Sequence, residues 1–166
     1  MLILMLLPFA VQMLVVNFDE FYFHVRRGLP KWERLGHPLD TLTVLACFVF
    51  VLWVPYSLLS LKVYIALALF SCIFVTKDEF VHKDCCPASE QWLHALLFLN
   101  HPIVLASAGL LWPIIQGVEA PAWLAELVPH ADNIKLVLSG QALCITLFFC
   151  YQTIYWNFLW KDKLPE

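Results

Sequence analysis

Charged side chains are scarce in this chain of 166 residues, and this scarcity excludes most soluble folds. Only 14% of the residues are charged and 61% are hydrophobic, whereas an ordinary soluble domain has about 25% charged and about 45–50% apolar residues. The formal net charge of −3 also lacks the basic excess that a nucleic-acid-binding surface needs. We therefore expect a single integral membrane domain over residues 1–166 that binds no nucleic acid.

Cysteine spacing typical of a secreted disulfide framework is also absent. Four of the six cysteines lie inside apolar runs, where they act as small hydrophobic residues. The other two, Cys85 and Cys86, are adjacent in a polar loop, and adjacent cysteines rarely satisfy disulfide geometry. A soft metal ligand and a redox pair are both open interpretations of these two residues.

Five apolar runs approach the length of about 20 residues that a membrane-spanning helix needs. We predict an all-α, polytopic membrane helix bundle with about five spanning helices, from Met1–Phe18, Thr41–Leu59, Leu61–Thr76, Leu93–Gln116 and Lys135–Trp160. The first run lacks a basic leading segment and an obvious small-residue cleavage site. We therefore expect it to be a retained helix, continuing to His24 or beyond, and not a removable signal.

Basic residues are concentrated on one side of this five-span arrangement. The loops on that side and the C-terminal segment carry Arg26, Arg27, Lys31, Arg34, Lys77, Lys83, Lys161 and Lys163. The positive-inside rule makes this side cytoplasmic and places the N-terminus outside. We expect a protein of the bacterial inner (plasma) membrane, in contact with membrane lipids, with its C-terminus in the cytoplasm.

The same polar motif occurs twice at the cytoplasmic end of the predicted bundle. The first copy begins Asp19-Glu20-Phe21 and the second begins Asp78-Glu79-Phe80. In each copy a histidine follows about one turn later, and a Glu-x-x-x-His follows the loop. The two copies predict two parallel helix-pair repeats, over about residues 1–60 and 61–116, with an extra helix at about 133–160.

Each of the four helix ends in these repeats offers one carboxylate and one imidazole, because residues three or four positions apart share a helix face. We predict that eight side chains bind two metal ions: Glu20, His24, Glu33, His37, Glu79, His82, Glu90 and His94. Imidazole and carboxylate ligands suit iron, which we expect first, and also zinc or manganese. The competing interpretation is that these side chains are solvated caps at helix ends.

Other polar residues have supporting roles in this hypothesis. Asp19, Asp40 and Asp78 are expected to orient ligating imidazoles, as carboxylates commonly do around metals. His101 lies seven residues after His94, about 10 Å deeper along the same helix face. An ionisable residue at that depth indicates a functional site, so His101 and Asp40 are the candidate catalytic residues. The alternative for His101 is a neutral imidazole bonded to a neighbouring carbonyl.

Glu79-Phe80-Val81-His82 matches the Glu-x-x-His motif, and in this motif the chain resembles the ferritin-like di-iron carboxylate proteins. In that family Glu and Glu-x-x-His from four helices enclose two ions. The resemblance implies a four-helix di-metal centre. The other three Glu and His pairs have one more residue between them, and the chain has two more histidines than the family pattern. The His-x-x-His-His boxes of membrane fatty-acid hydroxylases and desaturases are absent.

The sequence therefore predicts a membrane-embedded di-metal enzyme. We expect an oxidoreductase or oxygenase that acts on a lipid or other hydrophobic substrate at the cytoplasmic interface. One alternative is hydrolysis of a lipid head group by metal-bound water. A second is non-enzymatic metal binding, as in sensing, storage or transport. A third, haem ligation by the four histidines, fits less well because haem needs no carboxylate ligands.

Overall fold

The computed structural model describes residues 2–80, 82, 86–118, 121–127 and 131–161, which are almost entirely helical. In chain order the elements are α1 (Leu2–Phe18) with a π-helix (Asp19–His24) and a closing turn (Val25–Arg27), α2 (Lys31–Trp53), α3 (Leu58–Phe74) with a 3₁₀ turn (Val75–Asp78), α4 (Ala88–Ile115), α5 (Ala122–Leu127), and α6 (Ala131–Ile154) with a second π-helix (Tyr155–Leu159). These described ranges contain no strand, which confirms the predicted all-α class.

Five helices are long and apolar enough to cross a membrane, in agreement with the predicted number: Leu4–Arg27, Lys31–Trp53, Leu58–Lys77, Ala88–Ile115 and Asp132–Leu159. The second helix differs most from its predicted bounds, because it begins before Thr41 and ends at Trp53. Its polar first turns are helical, and Pro55 explains its end. The residue before a proline is driven out of the helical region, and Val54 is extended.

The bundle is organised around two helix pairs. Helix α1 packs against α4, α2 packs against α3, and α2 and α4 contact each other between these pairs. Helix α6 lies against α2 and α4. The hydrophobic core lies along the half of the helices that is remote from the polar motifs, where Phe9, Phe48 and Trp112 are fully buried. The rings of Phe9 and Phe48 meet edge to face at 5.8 Å.

Side chains of α4 satisfy the backbone at the buried end of α2. The indole Nε1 of Trp112 donates to the carbonyl of Val54 at 3.0 Å. The amide of Gln116 donates to the carbonyls of Val51 and Leu52 at 3.3 and 3.1 Å. The last carbonyls of a helix have no partner within it, and lipid offers none. These contacts therefore allow α2 to end inside the bundle.

A glycine permits the close approach of α3 to α4. A Cβ atom on Gly109 would lie 2.8 Å from a ring carbon of Tyr64, so a larger residue would push the two helices apart. The Tyr64 hydroxyl reaches past this glycine and donates to the carbonyl of Leu105 at 2.6 Å. Small residues at such contacts are typical of helix packing in membranes.

Large apolar side chains cover the outer faces of the helices. Leu14, Trp53, Ile73 and Leu136 are each more than 65% exposed. Soluble monomers rarely expose contiguous apolar surface on this scale, whereas a bilayer solvates it. The polar motifs are thus placed at one end of a bundle whose sides suit lipid.

Candidate metal centre

The two copies of the polar motif converge at one end of the bundle. Their side chains come from the π-helix, the first turns of α2, the segment after α3 and the first turns of α4. Six of the eight predicted ligands are at most 4% exposed, and the other two, His37 and Glu79, are half-buried. Solvated helix caps would be exposed, so burial on this scale argues against that interpretation.

A first ligand group consists of Asp19, His24, Glu90 and His94, whose potential ligand atoms all lie within 4.8 Å of one another. The Asp19 carboxylate lies between two imidazoles, 3.3 Å from Nε2 of His24 and 3.3 Å from Nε2 of His94. The Glu90 Oε1 atom is 3.6 Å from Nε2 of His24. All four residues are buried.

A second ligand group consists of Glu33, His37 and His82, also within 4.8 Å. The Glu33 carboxylate lies between two imidazoles, with Oε1 3.5 Å from Nε2 of His82 and Oε2 3.7 Å from Nε2 of His37. A third combination, Glu79 with His82 and His94, overlaps both groups. Seven of the eight predicted ligands therefore occur in these groups, and Glu20 is the exception.

The π-helix explains why Asp19 and Glu20 lie on different sides of the His24 ring. A π-helix widens the turn to i→i+5 hydrogen bonds, so His24 is flanked by residues four and five positions before it. Asp19 contacts Nε2 of His24, while Glu20 contacts Nδ1 of the same ring at 3.2 Å. Asp19, predicted only to orient a ligand, is in the first ligand group. Glu20, predicted to bind metal, holds the opposite side of the His24 ring.

Glu20 has a second partner that the sequence did not reveal. The indole Nε1 of Trp156, a fully buried residue of the second π-helix, donates to Glu20 Oε1 at 2.6 Å. Trp156 fixes the Glu20 carboxylate, which in turn fixes the His24 ring in the manner of a carboxylate that orients a metal ligand.

Several buried polar atoms of this cluster make no hydrogen bond within the described part of the chain. They are Nε2 of His24, Oε1 of Glu33, Nδ1 and Nε2 of His82, Oε2 of Glu90 and Nδ1 of His94. Buried polar groups are nearly always hydrogen-bonded in folded proteins, and each that is not costs about 1–3 kcal/mol. Within each ligand group the nitrogen and oxygen atoms lie within 4.8 Å of one another, an arrangement that fits a bound cation.

Arg27 lies between the two ligand groups. Its guanidinium donates to Oε1 of Glu90 at 2.8 Å and approaches Oε2 of Glu33 at 3.4 Å. The sequence indicated only a role for Arg27 in membrane orientation. Its position links one carboxylate of each ligand group and compensates part of their negative charge.

Asp40, predicted as catalytic or orienting, forms an ion pair with Lys77 next to the cluster. The Lys77 Nζ atom lies 2.7 Å from both carboxylate oxygens, and Asp40 lines the same cavity as the histidines. The side chain of Asp78, the third predicted orienting residue, lies outside the described residues.

His101 is buried at the end of a hydrogen-bonded chain. The Thr43 hydroxyl donates to the backbone carbonyl of Asp40 at 2.8 Å, so its oxygen accepts from Ser71, also at 2.8 Å. Because Ser71 gives its proton to Thr43, it accepts from Nε2 of His101 at 3.0 Å. His101 therefore carries a proton on Nε2, and its neutral form has the lone pair on Nδ1. The partner is a hydroxyl, not the backbone carbonyl of the alternative interpretation.

A cavity of about 120 Å³, here called the site cavity, joins these elements. His24, His37, His82 and His94 line it together with the deeper His101. This volume exceeds the roughly 30 Å³ that one water molecule occupies in the liquid. The site cavity could therefore hold bound ions together with a small part of another molecule.

Cys86 is buried beside the cluster but belongs to none of the ligand groups found among the described residues. Burial raises the pKa of its thiol to about 12, and the neighbouring Glu90 adds to the increase while Arg27 opposes it. A neutral thiol is a poor metal ligand, because the thiolate is the ligating form. Cys85, the other member of the predicted pair, lies outside the described residues.

The ligand groups can be compared with the Glu-x-x-His pattern of the di-iron carboxylate bundles. Glu79 and His82, which supply the Glu-x-x-His match, share a group that also contains His94. Of the two other groups, the first has a carboxylate and an imidazole from each of two helices, and the second has one carboxylate with imidazoles of two elements. A comparison of this chain with protein-family models, curated proteins and solved structures finds no match.

Proposed function

We propose that this protein is a membrane-embedded enzyme with two metal ions, and that it is an oxidoreductase acting on a hydrophobic substrate at the membrane surface. The observation that carries this proposal is the cluster of buried imidazole and carboxylate atoms that make no hydrogen bond to the residues that the structure describes. One ion would be held by Asp19, His24, Glu90 and His94. The other would be held by Glu33, His37 and His82, with Glu79 within reach.

The imidazole rings support two equivalent sites related by an internal repeat. The ring centroids of His24 and His37 are 4.7 Å apart, and those of His82 and His94 are 4.4 Å apart. The cross-repeat distances also match, at 6.4 Å for His24 to His94 and 6.0 Å for His37 to His82. A two-fold axis between the repeats would produce this agreement.

The positions of the carboxylates and the packing of the helices agree with the same two-fold relation between the proposed repeats. Glu33 lies 3.5 Å from His82, and Glu90 lies 3.6 Å from His24. The packing of α1 against α4 corresponds to that of α3 against α2. Each proposed ion would thus bind residues of both repeats, and loss of one ligand should disturb both halves of the cluster.

Charge balance also supports two divalent cations. Five described carboxylates contribute to the cluster: Asp19, Glu20, Glu33, Glu79 and Glu90. With Arg27 as their guanidinium partner, ionised carboxylates leave a net charge of about −4, and uncompensated buried charge costs several kcal/mol per ion. Two divalent cations would neutralise it.

The donor set and the cavity favour redox chemistry. Imidazole and carboxylate ligands without thiolate suit iron, manganese or zinc, and we propose iron. Iron would supply electron transfer and oxygen activation when bound. The protein's own residues would exclude water by burial, orient His24 through Glu20 and Trp156, and present the Nδ1 lone pair of His101 as a base near the substrate.

Hydrolysis of a lipid head group is a second candidate, because the cluster lies at the end of the bundle where head groups would be. A zinc-bound water loses its proton near neutral pH, and His101 could accept it. A purely structural metal clip or a sensor would not require the site cavity or a buried histidine deeper in the bundle. The identity of the metal separates the two enzymatic candidates.

The orientation of the bundle is part of the proposal. The basic residues near the cluster favour a cytoplasmic site, an outer N-terminus and a bacterial inner membrane. Lys31 and Arg26 are exposed at this end of the bundle, as expected for residues that face head groups and water. If all five helices of spanning length cross the membrane, the two termini would lie on opposite sides.

Elemental analysis of detergent-purified protein, prepared without chelators, tests the proposal. We expect about two ions per chain, with iron favouring oxidoreduction and zinc favouring hydrolysis. His24→Ala and His82→Ala each remove one ligand from a different group and should lower the metal content of both. His101→Ala is the matched control, because it removes a buried imidazole of the same cavity without removing a proposed ligand. Wild-type protein without metal would contradict the proposal.

A further inference from the structure

A second cavity, here called the apolar cavity, lies beside the site cavity between α1, α2 and α6. Its volume is about 440 Å³, within the range of about 300–1,000 Å³ that is usual for small-molecule sites. Phe9 and Met13 of α1, Phe48 of α2 and Ile145 of α6 contribute to its walls. The buried edge-to-face pair of Phe9 and Phe48 lies at the end remote from the metal cluster.

The two cavities are adjacent because five residues line both of them: Gln12, Val16, Thr41, Val44 and Phe148. These five residues are here called the neck. The polar groups of the neck are neutral and already oriented. The side-chain oxygen of Gln12 accepts a hydrogen bond from the Asn100 amide at 2.9 Å, and the Thr41 hydroxyl donates to the side-chain oxygen of Gln152 at 2.7 Å.

The lining of the apolar cavity defines the chemistry of its occupant. None of the described residues that line it is charged, and its polar members are amides, hydroxyls and a thiol. Along α6 it extends from Gln141 to Tyr151, a rise of roughly 15 Å. A long, uncharged space of this kind fits a hydrocarbon chain aligned with the helices.

The rim of the apolar cavity reaches the lipid-facing surface of the bundle. Leu147 and Cys144 of α6 line the cavity and are both exposed. A hydrocarbon chain could therefore enter the apolar cavity sideways from the bilayer, without passing through water. The neck and the small site cavity leave room for one chain end, and the five neck residues, none of which is charged, offer an anionic group no ion-pair partner.

We propose that the apolar cavity binds the chain of a neutral, single-chain amphiphile, of the long-chain alcohol or aldehyde class, whose polar end passes the neck into the site cavity. The assignment of this molecule as a substrate rests on the proposed function, whereas its binding does not. The alcohol or aldehyde oxygen would lie among the histidines, and the chain end would lie toward Phe9 and Phe48.

Two native cysteines of α6 provide the test and its control. Cys144 lines the apolar cavity, whereas Cys150 lines neither cavity, and both thiols are exposed. Purified protein in detergent would be treated with a membrane-soluble maleimide, with and without hexadecanol, and labelling of each cysteine followed by peptide mass spectrometry. At ten times the dissociation constant, hexadecanol should slow labelling of Cys144 about tenfold and leave Cys150 unchanged.

Other ligands in the same assay define the occupant. Palmitate, which is anionic, and a two-chain phosphatidylcholine should protect Cys144 much less than hexadecanol does. Equal labelling of Cys144 with and without hexadecanol would overturn the inference, as would protection by phosphatidylcholine alone, which indicates a structural lipid site. Metal content measured on the same samples separates the two proposals: metal without protection refutes only this inference, and protection without metal refutes only the metal centre.

Discussion

Neither ring nitrogen of His82 makes a hydrogen bond within the described part of the chain, so the substitution His82→Leu tests the metal centre through its effect on stability. The side chain of His82 is 3% exposed. In metal-free protein, a buried polar group without a partner costs about 1–3 kcal/mol, and leucine removes that cost with an apolar side chain of similar size. We therefore expect His82→Leu to raise the free energy of unfolding by about 1–3 kcal/mol in the presence of a chelator.

The effect of the substitution should become less favourable when metal is bound. Metal that binds only the folded state stabilises it in proportion to the logarithm of the ratio of metal concentration to Kd. If loss of the His82 ligand weakens binding about 100-fold, it removes about 2.8 kcal/mol of that stabilisation. The effect of His82→Leu on the free energy of unfolding should therefore be about 2.8 kcal/mol less favourable with metal than with chelator.

Denaturant titration in detergent micelles, with and without metal, measures both values, and His101→Leu is the matched control. His101 is also buried, but its Nε2 donates to Ser71. Its replacement should destabilise the protein by about 1 kcal/mol in both conditions, since one hydrogen bond is lost. If His82→Leu instead destabilises the protein equally with and without metal, the reasoning is refuted, because His82 would then be an ordinary structural residue.

Four other substitutions test separate parts of the interpretation. His101→Ala should retain both metal ions, as measured by elemental analysis, and loss of metal would make His101 a ligand. If His101 is a general base, the same substitution should lower product formation by about 10²–10⁴-fold, as measured in lipid extracts of cells with and without the protein. Trp32→Cys, at an exposed position, should resist a membrane-impermeant maleimide in intact cells, and rapid labelling would invert the proposed orientation. Cys86→Ser should leave metal content unchanged, because Cys86 belongs to none of the ligand groups found among the described residues. A lost ion would identify Cys86 as a ligand. Arg27→Gln should destabilise metal-free protein by about 1.5–3 kcal/mol, because charged hydrogen bonds are lost, and should destabilise metal-loaded protein by less. An equal loss of stability in both conditions would contradict the idea that Arg27 takes the place of the cations when metal is absent.

The helices and most members of the cluster could be predicted from sequence because each depends on local spacing. Apolar runs of spanning length gave the correct number of helices, and pairs such as Glu33 and His37 share a face at four-residue spacing. The placement of Asp19 and Glu20 on different sides of the His24 ring could not be predicted in this way. It follows from the π-helix, whose wider turn brings a residue five positions before His24 into contact with the ring.

Contacts between segments that are distant in sequence also could not be predicted, because local spacing does not reveal them. Trp156 and Glu20 are separated by 136 positions, and Thr43 and Ser71 by 28. Both pairs form because helices that are apart in sequence pack side by side, and an isolated tryptophan or serine in an apolar run has no periodic signal. The polar residues within apolar runs were the available signal, since lipid offers their hydrogen-bonding groups no partner.

Arg27 connects the membrane placement of this bundle with the chemistry of its site. A cation at a helix end near lipid head groups is expected from orientation alone, yet Arg27 turns inward to Glu33 and Glu90. These two carboxylates belong to different ligand groups. An arginine that bridges them can lower the cost of a buried negative cluster while metal is absent, but as a single charge it cannot balance five carboxylates. Among the described residues, and with the four histidines neutral, the cluster is therefore incompletely neutralised, and this deficit is the physical reason to expect cations there.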